Sequence, residues 1–335
     1  MKTSLSSATR PTSSHNTRIV MWIRSQVGPT RVQATSVRVL CVALFGIASL
    51  CVPIFASATN LAAIIYSAAA IGLAAIGLAA VTMCGQLFLL STGATASFAA
   101  IIFVSSLGLG LLPAVLAALA MGLVAGCLQG VAIGVLRCNP IIASIAAASI
   151  ITGIASTLSG GQTIIGNGDT SWLGLGLVIP GLPHQALLFV GATIILELFV
   201  QCSRFGRELR LVGINRAAAN LAGLRTQTTV LVSCTLAGGS AAAAGILIAS
   251  QSGTANLMVG NDLNFSAIAA VLVGGIGING GRGRVADAAF GAVFLAAIAN
   301  LLLVNNLPYQ AQLAVKGLAV LLSVAIGTLL SGKRR

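Results

Sequence analysis

Residues 39–136 read VLCVALFGIASLCVPIFASATNLAAIIYSAAAIGLAAIGLAAVTMCGQLFLLSTGATASFAAIIFVSSLGLGLLPAVLAALAMGLVAGCLQGVAIGVL, 98 consecutive positions without an Asp, Glu, Lys or Arg. A helix needs roughly 20 predominantly apolar residues to cross the hydrocarbon core of a bilayer, so this run holds about four crossings. The rest of the chain continues in kind. With 57% hydrophobic and 7% charged residues and a mean hydropathy of +1.02, the 335 residues lack the polar surface that a soluble globule of this size exposes. Taking hydropathy minima as loops predicts ten spans, at 39–58, 61–82, 85–105, 109–136, 140–158, 186–203, 226–250, 264–279, 286–304 and 311–330. The predicted fold is all-α: a polytopic transmembrane helical bundle forming one domain at 39–332, behind a disordered basic arm at 1–38. No tandem or inverted repeat is evident in the sequence.

Ten crossings put both termini on one side, and the basic residues say which. Lys2, Arg10, Arg18, Arg24, Arg31, Arg38, Arg137, Arg204, Arg207, Arg210, Arg216, Arg225, Arg282, Arg284, Lys333, Arg334 and Arg335 all fall on the side of the termini. Of the 18 Lys and Arg this leaves Lys316, inside the last predicted span. By the positive-inside rule that side is cytoplasmic. The net charge of +13 is thereby explained without nucleic acid, whose binding requires a basic patch on a water-facing domain. The Ser, Thr and Arg content of the arm imitates a transit peptide, and Ala56-Ser57-Ala58 imitates a signal-peptidase site. Nine further spans favour an uncleaved anchor, with residue 1 still attached.

Catalysis and metal binding find little material here. The seven cysteines (41, 51, 84, 127, 138, 202 and 234) contain no C-x-x-C and sit mostly in apolar helix, where Cys behaves as a small hydrophobe. His15 lies in the arm and His184 in an outer loop, so a Ser-His-Asp arrangement has no members. Gly275 to Gly280 satisfies G-x-G-x-x-G, but that fingerprint has meaning only between a strand and a helix. Here it closes a short apolar segment and runs into Gly281-Arg282-Gly283-Arg284, a glycine-rich break at the membrane surface. No metal site and no cofactor bound by the chain are expected, nor is the chain itself expected to be an enzyme.

Gly122, Gly126, Gly130 and Gly134 recur every four residues and form a smooth ribbon along one helix face, which lets helix backbones approach closely in lipid. Gly274 and Gly275 are assigned to helix packing as well. The longest polar stretch on the inside after the arm is 204–225, RFGRELRLVGINRAAANLAGLR. Its second half suits a short helix with Asn215 as N-cap and Gly223 as stop. A small-residue helix flanked by arginines on the cytoplasmic face suits docking into a groove of a partner; a basic helix lying on the lipid surface is the competing reading.

These residues resemble the permease subunits of ribose-, xylose- and galactose-type ATP-binding-cassette importers. Phe205-Gly206-Arg207, Gly213, Asn215, Ala218, Ala219, Gly223 and Leu224 match that family's F-G-R-x-x-x-A-x-G-x-N-x-x-A-A-x-x-x-G-I segment. Ala267 to Gly275, then Gly280-Gly281 and Gly283, match its A-I-A-A-V-V-x-G-G element, and further matches extend from about Gln86 to Lys316. The chain departs where the family carries T-G-G-I-D-L-S: it reads Thr92-Gly93-Ala94-Thr95-Ala96-Ser97, with Ala96 in place of the acid. Leu211 and Ile214 replace the usual aromatic and glycine of the polar segment.

The resemblance implies a bacterial inner-membrane importer in which two permease copies, or one copy and a paralogue, form the pathway. A periplasmic sugar-binding protein delivers the solute, and two cytoplasmic ABC ATPase subunits, which hold the ATP and Mg, act on a coupling segment. That segment carries Gly206, Arg207, Gly213, Asn215, Ala218, Ala219 and Gly223. Candidates for receptor docking lie in the two longest outer loops, Asp169 and Trp172 in one and Asp262 in the other; both loops lack bases. Polar groups within spans are expensive unless paired or facing water. Gln86 and Thr92 are therefore expected along the substrate path and Glu197 either in a local pair with Arg204 or snorkelling to the inside surface, while Lys316 either pairs with an acid or lies near the outer interface. Nucleosides and polyols are alternative substrates. A secondary transporter driven by an ion gradient, whose hallmarks are intramembrane carboxylates and broken helices, is the second class.

Overall fold

The computed structural model describes residues 55–332, except 87, 169, 180, 181, 278 and 279, together with 38, 41, 43, 45, 46 and 48. The arm at 1–37 and most of the first predicted span, 39–58, lie outside the described residues. Helix follows helix: α1 Ala58–Met83, α2 Thr92–Ser105, α3 Leu111–Gly134, α4 Pro140–Ser159, α5 His184–Cys202, α6 Arg204–Ile214, α7 Arg216–Leu221, α8 Thr226–Ser252, α9 Asn261–Val273, α10 Val285–Val304 and α11 Tyr309–Gly332. Among the described residues, six of them (α1, α3, α4, α5, α8 and α10) are long and apolar enough to cross a membrane. The chain is a multi-pass helical membrane protein.

Local chemistry sets the ends. The Ser57 hydroxyl accepts the Asn60 N–H at 3.3 Å to start α1, and Asn139 Oδ1 accepts the Ile141 N–H at 3.0 Å just before Pro140, whose missing N–H costs nothing at the first helical position. Gly160 (φ +60°) ends α4 and Gly253 (φ +66°) ends α8 in the left-handed conformation that glycine takes without strain. Helices α1, α8 and α10 form the centre. The apolar stretch of α1 is 78% buried, whereas that of α4 is 17% buried and turns Ile142, Ile150 and Leu158 outward as lipid-facing surface.

Two predicted spans, 85–105 and 264–279, are not continuous helices. After Met83 the chain turns at Gly85 (φ +74°) and helix resumes only at Thr92; after Val273 it leaves the helix through Gly274 and Gly275 (φ +90°). The helices left, of 14 and 13 residues, cover about 20 Å, two-thirds of a bilayer core. Hydropathy misses these breaks because residues 84–91 and 274–279 carry no charge.

The breaks reveal a symmetry that the residues hide. A 26-residue helix (α1), an eight-residue connection (84–91) and a 14-residue helix (α2) are matched by a 27-residue helix (α8), an eight-residue connection (253–260) and a 13-residue helix (α9). Packing follows the same exchange. Helix α3 lies on α8 as α10 lies on α1, α2 on α8 as α9 on α1, and α4 on α2 as α11 on α9. Helices α3 and α8 run antiparallel, with Gly122 opposite Ala242 and Gly134 opposite Gln227. Because α1 and α3 share a direction, the second half is inverted relative to the first. Two short antiparallel strand pairs complete the fold: β1 Ile164–Ile165 with the distant β4 Thr254–Ala255, and β2 Leu177–Ile179 with β3 Leu182–Pro183.

Candidate functional site

The polar stretch 204–225 folds as two helices in series. The Ser203 hydroxyl caps α6 by accepting the Gly206 N–H at 3.1 Å, and Phe205 stacks on Phe199 of α5 with ring centroids 5.3 Å apart. Asn215 leaves α6 in extended conformation and caps α7, its Oδ1 accepting the Ala218 N–H at 3.0 Å. Gly223 (φ +77°) follows the helix in the left-handed region. Arg216, at the first position of α7, donates to the Gly134 carbonyl at the C-terminus of α3, 3.4 Å away. Arg207 is exposed. Ala219 is buried within the chain, so the free face of α7 consists of Ala217, Ala218, Leu221 and Ala222, with Leu221 91% exposed. Sequence reasoning missed Leu221; its only signal was a large apolar residue in an otherwise small-residue helix.

Three glycines pack α6 against the bundle. A Cβ on Gly206 would overlap the Val200 carbonyl, and one on Gly213 would overlap the Met83 carbonyl and come within 2.5 Å of the Gly281 nitrogen. The Gly281 N–H donates to that same Met83 oxygen at 2.8 Å. Backbone from the end of α1, the end of α6 and the α9–α10 connection therefore meets at one point. This joint leads to both broken segments, because α1 runs through Gly85 into α2 and the connection is continuous with α9.

The two short helices touch near their N-termini. Asn264 Oδ1 accepts the Gly93 N–H at 2.6 Å, and Ser97 accepts the Gly260 N–H at 2.9 Å while donating to the Leu257 carbonyl at 3.1 Å. Thr92 is buried, its hydroxyl donating to the Leu89 carbonyl at 2.9 Å, and Gln86 is buried in the stretch before it. Ala96 is fully buried, with its carbonyl against Gly245 of α8. The ribbon of Gly122, Gly126, Gly130 and Gly134 lies along α8; a Cβ at Gly130 would sit 2.8 Å from Leu231 Cα. Gly274 packs equally closely on the Asp287 backbone of α10, while Gly275 supplies the left-handed turn.

On the opposite side, the β1–β4 pair joins the two long loops. Trp172 is 60% exposed and stacks on His184 at 4.9 Å. Asp169 lies outside the described residues. Asp262 sits in the first turn of α9, exposed, and accepts a hydrogen bond from the Tyr309 hydroxyl. Lys316 lies beside Ser266, 3.4 Å from its hydroxyl. Glu197 does not pair with Arg204. Its Oε2 accepts the Ala286 N–H at 3.0 Å, filling an open donor at the start of α10, and Gln201 holds its other oxygen. The described ion pair joins Arg38 to buried Asp287 at 2.5 Å, with the guanidinium 5.0 Å from the Phe290 ring centroid. No local pattern marks this pair, because its partners are 249 positions apart.

Residues 60–324 match the family model described as branched-chain amino acid transport system / permease component. The chain is 31% identical over 251 residues to the L-arabinose transport system permease protein AraH of Escherichia coli, covering 72% of this chain and 76% of that one. It is 32% identical over 242 residues to the autoinducer 2 import system permease protein LsrC of Salmonella typhimurium (69% and 67%). It is 29% identical over 247 residues to the probable ABC transporter permease protein y4mJ of Sinorhizobium fredii (73% and 74%). No solved structure matches the chain.

Proposed function

We infer, from the premise that this chain belongs to the family of branched-chain amino acid transport system permease components and to its ribose-, xylose- and galactose-type sugar branch, that it is the membrane-spanning subunit of an ATP-binding-cassette importer. The relatives named for L-arabinose and autoinducer 2 favour a monosaccharide or a molecule of that size over an amino acid. The chain crosses the bacterial inner membrane ten times with both termini inside, and pairs with a second copy or a paralogue. A periplasmic binding protein docks on the outer loops around Trp172 and Asp262, and two cytoplasmic ATPases bind ATP and Mg.

The observation that carries this reading is the free apolar face of α7. A helix that ends in a 91% exposed leucine, yet is fixed by Asn215, Arg216 and buried Ala219, is a rigid knob built for a groove. Gly213 ties that knob through α6 to the joint at Met83 and Gly281, and Gly206 seats the other end of α6 against Val200, with Arg207 exposed beside it. Force applied to α7 by a closing ATPase pair reaches the inner ends of both broken segments without passing through a flexible loop. Gly223 ends the knob and lets the chain turn into α8.

The test is co-purification with the cognate ATPase in detergent. Wild type retains the ATPase, and Leu221→Glu, which changes only an exposed side chain, loses it at unchanged thermal stability. Equal retention by both would overturn the docking assignment. The second reading, a gradient-driven transporter, has one observation in its favour: inverted halves with interrupted helices are common in that class.

A further inference from the structure

Seventeen of the 18 Lys and Arg fall on the side of the termini, and Lys316 is the exception. It follows Tyr309, the first residue of α11, by seven positions, about 11 Å along the helix axis. In the proposed orientation Tyr309 is at the outer end. Helical side chains lean toward their own N-terminus, so the Lys316 ammonium rises toward the outer surface. The chain's two tyrosines mark the same level: Tyr309 opens α11, and Tyr66 lies eight positions after the outer end of α1 at Ala58. Tyrosine gathers where hydrocarbon meets lipid headgroups. A cavity of about 230 Å³ lies here between α1, α8, α9 and α11, lined by Tyr66, Ser67, Gln251, Asp262, Ser266 and Lys316 among aliphatic side chains.

The cation and the acid of this cavity do not neutralise each other. Lys316 reaches the Ser266 hydroxyl at 3.4 Å, Asp262 accepts from the Tyr309 hydroxyl, and the described residues form no ion pair between the two. Asp262 and Ser266 are one turn apart on α9, about 6 Å in rise, so the charges stand at separate heights. A lysine within an apolar helix is costly unless it is paired or faces water, and two of its three donors remain open among the described residues. Gln251 supplies an acceptor, since its Nε2 is held by Gln185 Oε1 at 2.7 Å and its own Oε1 is left. A guest that carries an anion and a cation a short chain apart satisfies both charges at once. The volume admits a small headgroup and leaves its acyl chains outside, where Phe265 beside Ser266, and Leu313 and Leu318 on either side of Lys316, are exposed. We propose that the cavity binds the headgroup of an outer-leaflet aminophospholipid, phosphatidylethanolamine, with Lys316 taking the phosphate and Asp262 the ammonium through charge-assisted hydrogen bonds. The proposal uses the orientation given above and is independent of the importer reading.

The test is native mass spectrometry of the full-length protein, stripped of lipid in detergent and then given phosphatidylethanolamine, phosphatidylglycerol and phosphatidylcholine with the same chains at equal concentration. One phosphatidylethanolamine per chain should survive, favoured about tenfold over each of the other two, a factor equivalent to about 1.4 kcal/mol. Lys316→Met should lower that adduct about tenfold. Asp262→Asn, at an exposed side chain, should remove the preference over phosphatidylglycerol, a ratio measured within one sample and therefore unmoved by a general loss of stability. Water-soluble glycerophosphoethanolamine, which has the headgroup without the chains, should leave the lipid in place. The proposal is overturned if the three lipids are retained alike, as a nonspecific lipid shell would be, or if either variant binds like wild type. Displacement by glycerophosphoethanolamine at equal concentration would overturn it too, by assigning the site to a soluble phosphoester. None of these failures alters retention of the ATPase, which tests α7 alone.

Discussion

Gly213 has no room for a side chain, because the Met83 carbonyl and the Gly281 backbone occupy the space a Cβ would need. A methyl group there must push backbone aside at a point where three segments meet, and overpacking of this kind costs about 1–3 kcal/mol. Gly213→Ala is expected to lower the thermal midpoint of the purified protein, whereas Gly153→Ala, in open space on α4, leaves it unchanged. Such residues divide cleanly by legibility. Asn215 and Gly223 were readable because a cap and a stop are local, set by amides three positions away or by one φ angle. The role of Gly213 was not, since its neighbours come from Met83 and Gly281. Glu197 misled for the same reason: Arg204 is near in sequence, but the open N–H of Ala286 is near in space.

At the scale of the element, the long helices were legible and the short ones were not. Hydropathy finds α3, α4, α5 and α10 to within a few residues because lipid imposes the same apolar requirement along the whole length of each. It cannot find α2 and α9, because interrupted backbone at membrane depth is tolerated wherever neighbouring protein satisfies it, and that satisfaction is tertiary: Asn264 serves Gly93 and Ser97 serves Gly260. The ribbon on α3 makes a further prediction. Gly126→Leu should force α3 away from α8 and lower the thermal midpoint by several degrees, since a Cβ there already comes within 2.9 Å of Thr235 Cα. Leu128→Ala, on the outward face of the same helix and 66% exposed, should shift it little.

For the whole molecule, the inverted halves bring two equivalent interruptions together at the centre, where α2 and α9 touch, and the joint at Met83, Gly213 and Gly281 reaches both from one side. None of this symmetry was visible in the sequence, because what repeats is helix length, break and packing partner. The proposed orientation has its own check. An impermeant maleimide applied to intact spheroplasts should label Leu175→Cys, exposed in the loop that pairs with β4, but not the native exposed Cys138 and Cys202. Labelling in the reverse order would invert the topology and remove α7 from the reach of a cytoplasmic partner. The decisive measurement is uptake of radiolabelled sugar into vesicles that contain this chain with its ATPase and binding protein. Uptake should require ATP on the face that carries α7 and continue when ionophores collapse every ion gradient; uptake that proceeds without ATP and stops with the gradient would contradict the importer mechanism.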